Sequence, residues 1–230
     1  MPRVTPPDRF SRLIETGTRV FVTQGFERTQ MQDVADALGV SKGTLYGSVS
    51  GKEALFEACV RYADGLEPLP GPDALPLPAA GTPALVETLA QRLAEASDLG
   101  LSRRTGKAAT EQQLTDLIRE LMSRLARHRC AIKLVDRCAP EIPDLARLWF
   151  GQGRSQLVTD LAAYLRRRTP PDRFTSPHGA LVASRTVVES CVFWSVHRHF
   201  DPAPAQYSDP INDEDATDGL IAVLLKGLAP

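Results

Sequence analysis

The stretch Gln32-Asp33-Val34-Ala35-Asp36-Ala37-Leu38-Gly39-Val40-Ser41-Lys42-Gly43-Thr44-Leu45-Tyr46 carries the pattern on which the fold turns. With Met31 just before it, Val34, Ala35 and Leu38 recur at three- and four-residue steps, which gives a short helix a single apolar face. Gly39 ends that helix, because glycine takes the positive φ that a helix C-terminus favours. Val40 is expected to plug the core, and Ser41 to cap a third helix starting at Lys42. Two short helices joined through a glycine-containing turn form a helix-turn-helix.

Working outward, Thr29-Gln30-Met31-Gln32 fits a capping box with Thr29 as the cap. Residues 8–24 place Phe10, Leu13, Ile14, Gly17, Val20 and Phe21 on one stripe, so a first helix should pack as one wall of a small core and stop at Gly25. Gly51-Lys52-Glu53 opens a fourth helix to about Asp64, with Leu55, Phe56, Cys59 and Val60 facing inward. In the third helix Leu45 anchors the core, which leaves Lys42, Gly43, Thr44 and Tyr46 outward. That set suits DNA: lysine reaches phosphate or guanine, and glycine permits close backbone approach. Threonine offers a hydroxyl and a methyl to base edges, and the tyrosine hydroxyl can donate to phosphate. Ser41 and Thr29 are helix caps with or without DNA, Tyr46 alone could be packing, and Lys52 alone a surface charge.

Leu66 to Pro83 holds six of the 18 prolines, so no helix runs through it. It separates a module of residues 1–65 from a region 84–230, with 66–83 as a Pro-rich linker. In the second region helical periodicity persists. Thr82 should cap a helix with Leu85, Leu89, Leu93 and Ala96 on one face, and a single helix should run from about Thr110 through Val135. Asp144–Arg168 should form another, with Arg166-Arg167-Arg168 as a solvated, dipole-matched last turn. Further helices are expected from Pro177 to Phe200 and from Asp213 to Leu228. The fold class is therefore all-α: an N-terminal helix-turn-helix domain plus a C-terminal helical bundle.

With these motifs in place, residues 10–62 resemble the TetR/AcrR family of bacterial transcriptional regulators. The resemblance rests on Gln32 to Tyr46, on Gly51-Lys52-Glu53-Ala54-Leu55, and on Phe21, Gly25, Phe26 and Thr29 at the right spacing. It implies a DNA-binding set of Thr29, Gln30, Ser41, Lys42, Gly43, Thr44, Tyr46 and Lys52. Thr29 and Gln30 would then touch the DNA backbone, Lys42, Gly43 and Thr44 the bases, and Tyr46 and Lys52 phosphates. Gly47-Ser48-Val49 departs from the bulkier family pattern and offers fewer large side chains for base reading. The resemblance further implies a homodimer paired through the last two long helices, 178–200 and 213–228, and an effector pocket in the bundle. Candidates for that pocket are Trp149, Phe150, Tyr164, Phe193, Trp194 and His197, each of which plain core packing would equally explain.

The whole chain carries a net charge of −1, too balanced for a protein that coats nucleic acid through diffuse charge. By segment, residues 1–65 hold eight basic and eight acidic groups, 101–137 nine basic and four acidic, and 201–230 one basic and six acidic. Arg3 sits on an N-terminal arm that could reach a minor groove. No run approaches the roughly 18 apolar residues that span a bilayer, and no secretory signal opens the chain, so the expected compartment is the cytoplasm. Cys59, Cys130, Cys138 and Cys191 read as reduced thiols. No metal-ligand spacing, nucleophile–base pair or phosphate-cradling loop is visible, and no cofactor is expected.

The leading expectation is a ligand-responsive repressor: a dimer that binds a palindromic operator with half-sites roughly 34–36 Å apart and is released by a small apolar effector. Such release requires the effector to bind the two states unequally. Two rivals remain, a helical enzyme and a protein-interaction module that uses the helix-turn-helix only as structure.

Overall fold

The computed structural model describes residues 7–101, 111–168, 176–201 and 211–228. Their regular elements are all helices, with a single isolated bridge between Val49 and Leu77 in place of any strand among them. The N-terminal arm with Arg3, and Arg103, Arg104 and Lys107 of the basic middle segment, lie outside the described residues.

The chain forms two compact units that interleave in sequence: residues 1–91 with 130–149, and residues 92–129 with 150–230. The first unit opens with α1 (Pro7–Gln24), α2 (Met31–Leu38), α3 (Lys42–Leu45) and α4 (Lys52–Tyr62). Phe10, Leu13, Ile14 and Phe21 of α1 are buried, as their stripe requires. They meet Leu55, Phe56, Cys59 and Val60 of α4, and the two helices approach closely at Gly17, where a Cβ would lie 3.0 Å from Cys59 Sγ. Phe21, Phe26 and Phe56 complete this small core with ring centroids 5.2–6.1 Å apart. Val40 is only half-buried, so the core is sealed mainly by Leu45 and Val49.

The Pro-rich stretch does not float. Leu77 N–H donates to Ser48 O at 2.9 Å and Ser50 N–H to Leu77 O at 2.9 Å, while the Glu57 carboxylate on α4 accepts from Ala80 N–H and Gly81 N–H at 2.6 and 3.0 Å. Proline removes donors and fixes φ, so this strap is stiff, and it is held through the N–H groups of Leu77, Ala80 and Gly81. It leads into α5 (Thr82–Ser97), which begins at Thr82 itself, with Leu85 N–H bonded to Gly81 O.

The expected single helix from Thr110 to Val135 is two helices, α6 (Glu111–Arg127) and α7 (Arg129–Cys138), broken at His128. Asp64, at the end of the α4 segment, places one carboxylate oxygen 2.7 Å from Cys130 N and the other 3.0 Å from Ala131 N. It thereby caps a new helix start from 66 positions away. Asp144–Arg168 also divides, into α8 (Pro143–Leu148) and α9 (Arg154–Arg168), with a π-helical turn over Trp149–Gly153 between them.

In the second unit, α10 (Gly179–Ser195) packs against α9, α6 and α11 (Asp213–Leu228), and α11 packs against α6. Asp213 joins the Arg129 and Arg198 guanidinium groups and the His199 imidazole, the first at 2.6 Å and the last at 3.0 Å. Arg166 and Arg167 are solvated as expected, but Arg168 is buried, with its guanidinium 5.4 Å from the Tyr164 ring centroid.

Candidate nucleic-acid interface

The helix-turn-helix is assembled by bonds between near neighbours in sequence. Gly39 has φ +72° and donates to Asp36 O at 3.1 Å, and Val40 N–H donates to Ala35 O at 3.0 Å. This pair of bonds closes α2 with a Schellman motif, which requires the left-handed residue that Gly39 supplies. Ser41 Oγ then accepts from Thr44 N–H at 3.3 Å and shares a 2.9 Å hydrogen bond with Thr44 Oγ1. The expected cap of the third helix is present.

At the start of α2 the capping box is shifted by one residue. Gln30 is the N-cap, and its N–H donates to Asp33 Oδ2 at 2.8 Å. Thr29, expected to cap and to touch DNA, is instead 1% exposed, and its hydroxyl donates to Gly25 O at 2.6 Å. Its side chain is spent on closing the end of α1 and is not available to a phosphate. The signal that would have found the true box is Gln30 with Asp33 three residues on.

Helix α3 spans one turn. Leu45 is buried, Thr44 is half-buried, and Lys42, Gly43 and Tyr46 are exposed, Tyr46 by 43%. A Cβ built on Gly43 would meet only Ser41 Oγ, at 3.9 Å. Among the described residues nothing crowds that position, although a glycine costs a helix roughly 1 kcal/mol relative to alanine. The glycine leaves the exposed face of α3 low at this position. Beyond Tyr46 the backbone turns: Ser48 N–H and Val49 N–H both donate to Leu45 O, and Ser48 and Val49 are buried.

Lys52 was expected to reach phosphate from the start of α4. Its ammonium donates to Phe26 O at 3.0 Å and Glu27 O at 3.3 Å, and sits 4.5 Å from the Phe26 ring centroid. Two of its three donors therefore tie down the loop between α1 and α2. Gln30 and Ser41 are exposed beside the Lys42–Tyr46 surface. Gln30, Ser41, Lys42, Gly43 and Tyr46 are thus the exposed members of the expected set, whereas Thr29, Thr44 and Lys52 are engaged within the chain.

The six effector candidates fall in both units. Trp149 belongs to the first unit, buried, with Nε1 donating to Asp136 Oδ1 at 3.1 Å. In the second unit, Tyr164 is fully buried on α9, whereas Phe150 is 48% and Phe193 44% exposed; Trp194 packs edge-on to Phe193 at 5.5 Å, and His197 is half-buried.

Burial pushes the thiols of Cys59, Cys138 and Cys191 up to about 12, which keeps them protonated and unreactive at neutral pH. Among the described residues, no group of three or more His, Cys, Asp or Glu could hold a metal ion, and no helix is long and apolar enough to cross a membrane.

Residues 13–59 match the model of a family described as bacterial regulatory proteins, tetR family. The uncharacterized HTH-type transcriptional regulator YerO of Bacillus subtilis (strain 168) is 36% identical over 59 residues, which are 26% of this chain and 20% of that protein. The chain thus aligns with about a fifth of that relative's length. Two solved structures extend the likeness in fold to nearly the whole chain. A TetR-like transcriptional regulator from Rhodococcus sp. RHA1 superposes with a TM-score of 0.50 at 21% identity over 98% of each chain. A member of the TetR transcriptional regulator family from Streptomyces coelicolor A3 gives 0.54 at 17% identity, over 95% of this chain and 91% of that one.

Proposed function

We propose, for a chain whose residues 13–59 match the model of the tetR family of bacterial regulatory proteins, that it belongs to that family and acts in the cytoplasm as a homodimeric DNA-binding transcriptional regulator. The observation that carries this reading is the surface of α3: a capped single turn that turns Lys42, Gly43 and Tyr46 outward, with nothing among the described residues crowding the glycine. Lys42 supplies the charge, Tyr46 and Gln30 supply polar contacts to the sugar–phosphate backbone, and Gly43 lets the backbone come close to base edges. Ser41 and Thr44 hold the turn in shape, while Thr29 and Lys52 position it through α1 and its following loop.

One short helix reads few base pairs, so two copies on a palindromic operator are needed for specificity. Exposed apolar side chains on α10 and α11, Val182 at 63%, Phe193 at 44% and Val223 at 69%, support pairing of two protomers through these helices. In functional terms residues 1–65 read DNA, 66–83 connect, and 84–230 bind an effector and dimerise. The effector is a small apolar molecule taken up by the bundle, with Tyr164 as its buried polar neighbour, and its binding releases the repressor from the operator.

The test is selection of bound fragments from genomic DNA by the purified protein, followed by affinity measurements across salt. A palindromic site is expected, with Lys42→Ala reducing the salt slope by about one. Weak binding without a palindrome at moderate salt would overturn the reading.

A further inference from the structure

Within the first unit, α4, the strap and the start of α5 line a half-open pocket of about 380 Å³. That is within the range of small-molecule sites, roughly 300–1,000 Å³. Ala58, Leu77, Ala84 and Leu85 supply apolar wall, and Glu57 and Arg61 on α4 supply charge. Glu57 is 9% exposed, and each of its oxygens accepts one neutral N–H, from Ala80 and Gly81. Arg61 directs Nε and one terminal nitrogen to Glu67 at 3.0 and 2.6 Å. That guanidinium is bonded to Glu67, so the three side chains keep a net negative charge, and among the described residues the hydrogen bonds to the buried Glu57 carboxylate come from backbone dipoles.

We propose that this cavity binds a compact monocationic amphiphile, with its ammonium against the Glu57 carboxylate and its apolar body against Ala58, Leu77 and Leu85. A charge-assisted hydrogen bond to a carboxylate in a partly dehydrated site is about twice as strong as a neutral one. An anion of the same shape meets repulsion, and a neutral isostere gains only the apolar contact. The site lies on α4, beneath a strap whose Leu77 also holds Ser48 and Ser50 beside the recognition turn. Occupancy therefore bears on the strap that braces that turn. The inference rests on the cavity and its charge, and holds whether or not the chain binds DNA.

The test is calorimetric titration of the full chain, free of DNA, with 4-phenylbutylamine, 4-phenylbutanol and 4-phenylbutanoate at neutral pH. The amine should bind at least about tenfold more tightly than the alcohol, as expected for one charge-assisted bond, and the acid should not bind. Glu57→Gln should reduce the amine to the alcohol's affinity and leave the alcohol unchanged. Ala84→Phe, which fills the cavity, should abolish binding of both. Equal affinity for amine and alcohol in the wild-type chain overturns the proposal, as does amine binding that survives Ala84→Phe. If Glu57→Gln fails to fold, as circular dichroism would show, those two measurements still decide.

Discussion

The helix-turn-helix and α7 belong to the same compact unit and are built by opposite means. In the first, the bonds that cap α2 and α3 and close the turn between them join residues three to five apart: Gln30 to Asp33, Asp36 to Gly39, Ala35 to Val40, Ser41 to Thr44. In the second, the ends are fixed from far away. Asp64 caps Cys130 and Ala131; Arg137 donates to Gln24 O at 2.7 Å; Glu141 accepts from Glu27 N–H at 2.7 Å. A motif held by its own neighbours can form early and carry over among proteins of little overall similarity, because short loops cost little closure entropy. A helix end that depends on a residue 66 positions away forms only once the unit has collapsed.

The contrast is broken most severely at Gly25, where the two kinds of contact meet. Its φ is +90°, and an added Cβ would lie 2.4 Å from Glu141 Oε1 and 2.7 Å from the Arg137 guanidinium. Gly25→Ala should cost about 3 kcal/mol, combining left-handed strain with loss of the Arg137–Glu141 clamp. A urea midpoint close to that of the wild type would refute the clamp.

Asp64→Ala comes next, at about 2 kcal/mol, because it strips two amides of their acceptor at a helix start. Hydrogen exchange should show protection lost over residues 130–134 and retained in α2 and α3. Ser41→Ala should have the converse pattern and a smaller cost of about 1 kcal/mol, since water can replace an exposed cap. A larger loss for Ser41→Ala than for Asp64→Ala would invert the comparison.

The smallest effect is in acid. Burial raises the Glu141 carboxyl, but the Glu27 N–H, the Arg137 guanidinium and the Phe26 backbone outweigh it and hold the group below its ordinary 4.5. A depressed carboxylate stabilises the fold fully above its unfolded pKa and loses that contribution as pH falls through the folded one. Glu141→Gln should therefore flatten the acid limb of the stability curve below about pH 4.5. The wild type should exceed the variant by about 1 kcal/mol or less at pH 7, and the difference should vanish as pH falls through the folded pKa.

The same division explains what could be read in advance. Gly39, Ser41 and Leu45 were legible because a left-handed stop, a cap and an anchor each have a residue type and a fixed offset. Thr29 was misplaced by one register, since Thr29–Gln32 and Gln30–Asp33 both satisfy a three-residue spacing and only burial tells them apart. Lys52 looked solvated because a sequence cannot show the carbonyls of Phe26 and Glu27 turning toward it. Arg168 looked like its two neighbours because the run of three arginines says nothing about which one faces the core.

What the sequence by itself determined is the set of elements whose causes lie within a turn or two of chain: the apolar stripe of α1, the closed turn between α2 and α3, and the outward Lys42, Gly43 and Tyr46. Tertiary structure decided where the long helices break and what becomes of the prolines. His128 ends α6 with no proline or glycine to announce it, because Asp64 offers α7 a better start. The strap is held by Glu57, Ser48 and Ser50, whose partners lie 23 to about 30 positions along the chain. Hydrogen-bond donors left over by local structure take whatever acceptor the collapsed chain brings near, and that pairing is a property of the packed molecule alone.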